Sequence, residues 1–138
     1  MYKFEILIRV RYGETDKMGY VYNGNYATYF EVGRVETLRK LGIPYRNIED
    51  SGYALPVRDL QIRYFKPGFY DDELKIVTIL SKMPDVRMRF DYEIYNPKDE
   101  LITKGHTTLV FVKQSTGKPC QPPQNVIEAL QPYFSWGP

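Results

Sequence analysis

Thr15-Asp16-Lys17-Met18-Gly19-Tyr20-Val21-Tyr22-Asn23-Gly24-Asn25-Tyr26 runs without interruption into Ala27-Thr28-Tyr29-Phe30-Glu31-Val32-Gly33-Arg34. A polar stretch punctuated by Gly19 and Gly24 gives way to aromatic residues at helical spacing, so a loop hands over to a helix. The helix is expected from about Asn25 to Leu41, with Tyr26, Phe30, Gly33 and Thr37 on one stripe and Ala27, Val35 and Leu38 beside it. Glu31, Arg34, Glu36, Arg39 and Lys40 carry its charge, and Gly42 is placed as its C-terminal stop. Apolar surface covers more than half its circumference, which predicts burial on several sides. Gly33 costs roughly 1 kcal/mol against Ala at a mid-helix position, and close approach of a neighbouring backbone would account for it.

Upstream, Phe4, Ile6, Ile8, Val10 and Tyr12 alternate with Lys3, Glu5, Arg9 and Arg11, the period of a half-buried strand. Downstream, Pro44 to about Asp50 reads as a short helical turn. Strand-like runs follow at about 55–66, 73–83, 86–96 and 101–113. The run 86–96 is the clearest, with Val86, Met88, Phe90, Tyr92 and Ile94 on one face and Arg87, Arg89, Asp91 and Glu93 on the other. Lys66-Pro67-Gly68, Met83-Pro84-Asp85 and Asn96-Pro97-Lys98-Asp99 carry turn residues, which favours an antiparallel meander. A short helix is expected from about Gln124 to Gln131, broken by Pro132. Strand, long helix, then four strands makes an α+β architecture, a sheet curling around one helix. The 138 residues form one domain, 1–138, with 132–138 read as a loosely ordered tail.

Composition narrows the function. A net charge of +2 gives no electrostatic footprint for nucleic acid. The 13 Tyr and 7 Phe predict rings lining a core or pocket. One cysteine, Cys120, excludes an internal disulfide framework, which fits a reducing, cytoplasmic setting. Charge interrupts Met1-Tyr2-Lys3-Phe4-Glu5, so neither a signal peptide nor a membrane span is expected. One His and one Cys leave no metal-ligand cluster, and no glycine-rich nucleotide loop is present, so no cofactor is expected.

Taken singly, most candidate residues have an ordinary structural reading. Asp16 is a turn carboxylate by spacing, yet it sits seven residues before a helix start whose free N–H groups carry partial positive charge. A carboxylate facing such N–H groups can attack, or direct water onto, a carbonyl whose oxygen they hold. Asn23 and Asn25 read as N-caps. Tyr22 and Tyr26, nearest the helix start, are candidate walls of a binding pocket, though single aromatics more often belong to a core. Glu31 and Glu36 read as surface partners of Arg34 and Lys40. His106, the only histidine, lies in a strand run with no nucleophile pattern around it and reads as structural. Lys82, Arg87 and Arg89 are either a solvated face or a place for phosphates, with Arg63 and Lys66 as the second such cluster.

Tyr12-x-Glu14-Thr15-Asp16-x-x-Gly19-x-Val21-Tyr22-x-x-x-Tyr26, then Phe30-Glu31 and Arg34-x-Glu36, resembles the hotdog-fold 4-hydroxybenzoyl-CoA thioesterase family. Within it, the acyl-CoA thioesterases of the Tol-Pal-associated type are the nearer likeness. A second block, Val57 to Tyr64 with Pro67 and Asp71-Asp72-x-Leu74, is similar to the strand, turn and strand that follow in that family. The resemblance covers roughly residues 5–113. It implies a curved antiparallel sheet wrapped around one long central helix, and hydrolysis of an acyl-CoA to free acid and CoA. Asp16 is implied as the catalytic carboxylate and the backbone N–H of Asn23 as the group that polarises the carbonyl. That subgroup commonly carries His where this chain has Asn23; a backbone donor survives the exchange, while Asn does not titrate near neutrality. A homodimer or homotetramer with the site at the interface is also implied. The alternatives on the same fold are a thioesterase acting on acyl carrier protein and a non-catalytic acyl-binding or scaffold protein. Thioester chemistry suits so sparse a site, because a thiolate with a conjugate-acid pKa of about 8.5 departs without a strong general acid.

Overall fold

The alternation of the first segment becomes β1 (Tyr2–Arg9), followed by α1 (Asn25–Lys40), α2 (Tyr45–Asp50), β2 (Tyr53–Ala54), β3 (Val57–Tyr64), β4 (Glu73–Leu80), β5 (Arg87–Tyr95), β6 (Leu101–Val110), β7 (Val112–Lys113) and α3 (Gln124–Phe134). These come from a computed structural model that describes residues 1–134; residues 135–138 of the expected tail lie outside the described residues. Five strands form one antiparallel sheet in the order β1-β4-β5-β6-β3, and β2 pairs with β7 in a small second ladder. The expected meander therefore holds for β4, β5 and β6 only. Lys66-Pro67-Gly68 is not a hairpin turn but part of a crossover, because β3 docks on the far side of β6 while β4 lies between β1 and β5. Turn residues mark where a chain leaves a strand, not which neighbour it meets next.

Residues α1 buries against the sheet include Tyr26, Tyr29, Phe30, Gly33, Thr37 and Leu38. The Phe30 ring stacks on Tyr92 of β5 at 4.3 Å between centroids. Gly33 does admit a close neighbour, but side chains of β4 rather than backbone: a Cβ there would lie 2.6 Å from Thr78 Oγ1 and 3.0 Å from Ile76 Cγ2. Gly42 closes the helix at φ +82°, as its position predicted. On the sheet's inner face Leu74, Ile76, Leu80, Met88, Phe90, Tyr92 and Ile94 are all buried, and the alternation read from 86–96 is realised from Met88 to Ile94, with Val86 half-buried just before the strand.

Three details depart from expectation. Tyr12 leaves the buried face and is 78% exposed, because the strand ends at Arg9 and Tyr12–Glu14 forms a single 3-10 turn. Helix α3 continues through Pro132 to Phe134; near a C-terminal end the ring displaces few backbone bonds, and Tyr133 packs edge-on against Tyr2 at 4.6 Å. The charge pair on α1 is Glu36–Arg39 at 3.4 Å, not Glu31–Arg34 or Glu36–Lys40. No described helix is long and apolar enough to cross a membrane.

Gly105 of β6 lies directly beneath α1. A Cβ on it would sit 2.7 Å from Phe30 Cε2 and would also strike the carbonyl oxygen of Gln61. Gly105→Ala is expected to destabilise the fold by about 3 kcal/mol, at the upper end of overpacking effects, measured by chemical denaturation.

Candidate active site

The crossover 65–72 is sewn to the loop that precedes α1. Val21 N–H donates to Gly68 O at 2.8 Å, Tyr70 N–H to Gly19 O at 3.2 Å, and Asp71 N–H to Val10 O at 3.0 Å. These bonds hold two segments, far apart in sequence, against each other at one end of the sheet. Between them opens a cleft of about 260 Å³ lined by Asp16, Asn23, Tyr26, Tyr64 and Lys66, among others.

Asp16 occupies a closed turn at the rim of this cleft. Its N–H donates to Tyr20 O at 2.8 Å, and its Oδ1 accepts from Met18 N–H at 2.9 Å and Tyr20 N–H at 3.2 Å. Gly19, at φ +77°, lets the chain turn there. The turn reading and the chemical reading coexist in one side chain. Oδ1 is committed to the backbone, while Oδ2 has no hydrogen-bond donor among the described residues.

The helix entrance shows the same division. Tyr22 N–H donates to Glu14 O and Asn25 N–H to Tyr22 O, both at 2.9 Å. Among the described residues, no acceptor within the chain takes the N–H of Asn23. Neither asparagine caps the helix with its side chain. Asn25 instead donates from Nδ2 to Glu14 O at 2.8 Å, tying the first turn of α1 back to the loop. Tyr64 Oη donates to Asn23 O at 3.2 Å and so orients the same peptide from across the cleft.

Glu14 and Tyr29 were not singled out from the sequence, yet they organise the loop. Glu14 Oε1 accepts from Arg11 N–H and from Tyr29 Oη, each at 2.9 Å, and Oε2 accepts from the Arg11 guanidinium at 2.7 Å. Burial pushes the Glu14 carboxyl up, but the bonds from Arg11 and Tyr29 outweigh it and hold it below its ordinary value. Burial, and then the neighbouring Glu14, push the Tyr29 phenol well up, so Tyr29 stays a donor. The available signal was the three-residue spacing from Arg11 to Glu14, that of a capping box.

The other candidates divide. Tyr26 is 2% exposed, lines the cleft, and accepts from Gly68 N–H at 3.2 Å. Tyr22 is 62% exposed and lies outside the cleft lining. Lys82 and Arg87 are exposed, and Arg89 is paired with Asp91 at 3.1 Å. Tyr64 shares a row with Thr103 and Ile94, seven residues from Arg87 along β5. At ~3.3 Å per residue Arg87 is roughly 23 Å along the sheet from that row, so within one chain these cations do not converge on Asp16. Of the second cluster, Lys66 lines the cleft and pairs with Glu100. His106 sits in a different depression of about 190 Å³, on the outer sheet face with Gln61, Arg63 and Asp91. Among the described residues no group of His, Cys, Asp and Glu could hold a metal.

Residues 10–130 match the thioesterase-like superfamily. The chain belongs to this family, and the enzyme class is thioester hydrolase. It is 38% identical to a putative acyl-CoA thioesterase, YneP, of Bacillus subtilis over 83% of each chain. It is 28% identical to the acyl-CoA thioester hydrolase YbgC of Escherichia coli, covering 87% of this chain and 90% of that one. Among solved structures, a DHNA-CoA thioesterase from Staphylococcus aureus superposes with a TM-score of 0.83 at 42% identity, covering 97% of this chain and 85% of that chain. The hotdog thioesterase fold expected from the motif is thus found, with α1 spanning 16 residues.

Because the carboxyl of Glu14 is held below its ordinary value of 4.5, its contribution to stability is complete above that pH and disappears as pH falls through the lowered value. Glu14→Gln is expected to melt below the wild type at pH 7, with the gap closing in acid. Melting temperature against pH measures it.

Proposed function

We propose that the protein hydrolyses acyl-CoA thioesters, with Asp16 as the attacking or water-activating carboxylate and the Asn23 N–H as the oxyanion donor. The observation that carries this reading is the pairing in one cleft of a carboxylate oxygen and a helix-entrance N–H, both without partners in the described chain. The thioester carbonyl oxygen would accept from Asn23 N–H while Oδ2 of Asp16 either attacks the carbonyl carbon or takes a proton from the attacking water. In the first case a mixed anhydride forms as CoA leaves as thiolate, and water then hydrolyses the anhydride to release the acid and restore Asp16; in the second, water adds, giving its proton to Asp16, and the same thiolate departs. Each route needs only one carboxylate and one donor, and losing such a donor typically costs about 100- to 1,000-fold in rate.

Tyr20, Tyr26, Tyr64 and Phe65 give the cleft aromatic walls, which suits a flat acyl group. The Staphylococcus aureus relative is named for a DHNA-CoA substrate, so that aromatic thioester heads the candidates against straight-chain acyl-CoAs. The hotdog arrangement, with the sheet wrapped round α1 as its central helix, and a homodimeric or homotetrameric assembly belong to the same reading. The resemblance to 4-hydroxybenzoyl-CoA thioesterases and to the Tol-Pal-associated subgroup belongs here as well.

Asp16→Asn retains an oxygen acceptor for Met18 and Tyr20, so the turn should survive while the carboxylate is lost. Its kcat is expected to fall by about 100-fold or more with an unchanged fold by circular dichroism. Thiol release from a panel of aromatic and straight-chain acyl-CoAs is the measurement. Absence of turnover by the wild type on every member, or full activity in Asp16→Asn, would refute the reading.

A further inference from the structure

Asn23-Gly24 is the single Asn-Gly pair of the chain, and Asn23 lines the cleft. Both residues are exposed. Among the described residues no acceptor takes the Gly24 N–H, and the Asn23 side chain makes no hydrogen bond. The other asparagines are held differently. Asn25, two positions on, donates from Nδ2 to Glu14 O. Asn96 is bonded through both Oδ1 and Nδ2, and Pro97 after it has no N–H. Asn47 and Asn125 precede the β-branched Ile48 and Val126, whose N–H groups donate to Pro44 O and Pro123 O at 3.3 and 3.0 Å. Among the described residues, a free side-chain amide is followed by a free backbone nitrogen at Asn23 alone.

Such a pair can close a ring on itself. Solvent hydroxide takes the Gly24 N–H proton, the nitrogen attacks Cγ of Asn23, and the Cγ–Nδ2 bond breaks as ammonia leaves. Water then opens the cyclic imide. Cleavage between Cγ and the nitrogen leaves aspartate; cleavage at the main-chain carbonyl leaves isoaspartate, in which the chain runs through Cβ and Cγ. One water is consumed and one ammonia released. Two features favour the first step. Gly24 has no Cβ to obstruct the swing of its nitrogen, and the positive end of the α1 dipole stabilises that nitrogen when it is deprotonated. One feature opposes it. The Asn23 carbonyl oxygen accepts from Tyr26 N–H at 3.3 Å and from Tyr64 Oη at 3.2 Å. Bringing the Gly24 nitrogen over Cγ turns that carbonyl out of line with both donors.

We propose that Asn23-Gly24 is a site of spontaneous deamidation, restrained by the Tyr64 hydroxyl, and that the conversion switches off the Asp16 cleft. The second part rests on the thioesterase reading. Either product carries a carboxylate, ionised at neutral pH, on the residue whose N–H is to hold the oxyanion. A fixed anion there opposes the negative charge that develops on the thioester oxygen. In isoaspartate the extra backbone carbon also shifts residue 23 relative to α1, so the donor no longer points where the helix start placed it. Tyr64 thereby acts on the lifetime of the site, as a clamp on a peptide that would otherwise rotate and react.

Ageing the full chain in mildly alkaline buffer, with peptide mapping by mass spectrometry, tests the first part. Residue 23 exchanges NH for O, with isoaspartate among the products, ahead of every other asparagine. Tyr64→Phe keeps the ring but removes the clamp, and speeds the exchange about fivefold, the worth of one hydrogen bond. Gly24→Ala slows it about tenfold or more, because the freedom of glycine is lost; its Cβ meets only the exposed Tyr22 ring, at 3.0 Å. Thiol release from acyl-CoA tests the second part. The kcat of aged wild type falls in step with the unconverted fraction, whereas Gly24→Ala holds its starting kcat over the same period. No preferred exchange at residue 23, or a rate that Tyr64→Phe leaves unchanged with the fold intact by circular dichroism, would overturn the proposal. Full conversion with undiminished kcat would overturn its second part. A fresh wild type that hydrolyses no thioester, yet converts at residue 23, would sink the functional reading and leave the modification standing.

Discussion

Everything at the site depends on how closely α1 approaches the sheet. Phe30 lies flat on Tyr92, and this contact is possible because residue 105 beneath it has no side chain. Gly33 admits Thr78 and Ile76 of β4 in the same way a turn further on. An α-helix seated at this depth has its first turn fixed in space to within the slack of a packed interior. The peptide of Asn23 inherits that fixity, and Asp16 inherits it in turn through the Glu14 bonds to Tyr22, Asn25 and Tyr29. A donor and an acceptor held by packing need no reorganisation when charge develops between them.

The two carboxylates of the loop are held in different ways. Burial alone would push the Glu14 carboxyl up, and it is charged hydrogen bonding from Arg11 and Tyr29 that reverses the direction. This places a permanent anion behind the loop, engaged on both oxygens and unavailable for chemistry. Asp16, by contrast, spends a single oxygen on its turn. Two carboxylates two residues apart thus differ in kind, Glu14 bonded on both oxygens and Asp16 with one oxygen left over from its turn.

Much of the fold could be read from residue pattern. Alternation at Val86–Ile94 and at Phe4–Val10 located strands and their buried faces, and Gly42 located the helix end, because period and backbone conformation are local properties. Strand order was not legible, since Lys66-Pro67-Gly68 carries the same turn residues whether it makes a hairpin or crosses the end of a sheet. At the site, Asp16, Asn23 and Tyr26 were legible through motif and position, and they line one cleft. Tyr64 was not, because only the pairing of β3 with β6 brings it to the helix start; Lys66 was read only as part of a phosphate cluster with Arg63, and it lines the cleft without Arg63. The cations Lys82, Arg87 and Arg89 were grouped by proximity in sequence, whereas a strand carries such residues to the sheet's far end. Glu14 was passed over because the Arg11–Glu14 spacing that signals its bond lacks the Ser or Thr that usually opens a capping box.

The crossover from β3 to β4 has a consequence for how the protein becomes competent. Its bonds to the Val10 carbonyl, Gly19 and Val21 join residues 47 to 61 positions apart, and Tyr64 reaches Asn23 across 41. Neither half of the cleft is assembled by local structure, so α1 formed alone has a free N-terminus but no wall opposite it. The last and entropically slowest contacts to close are the ones that shape the cleft. On the proposed reading of the cleft, a nascent or partly unfolded chain is therefore inert toward thioesters, and activity arrives together with the complete sheet.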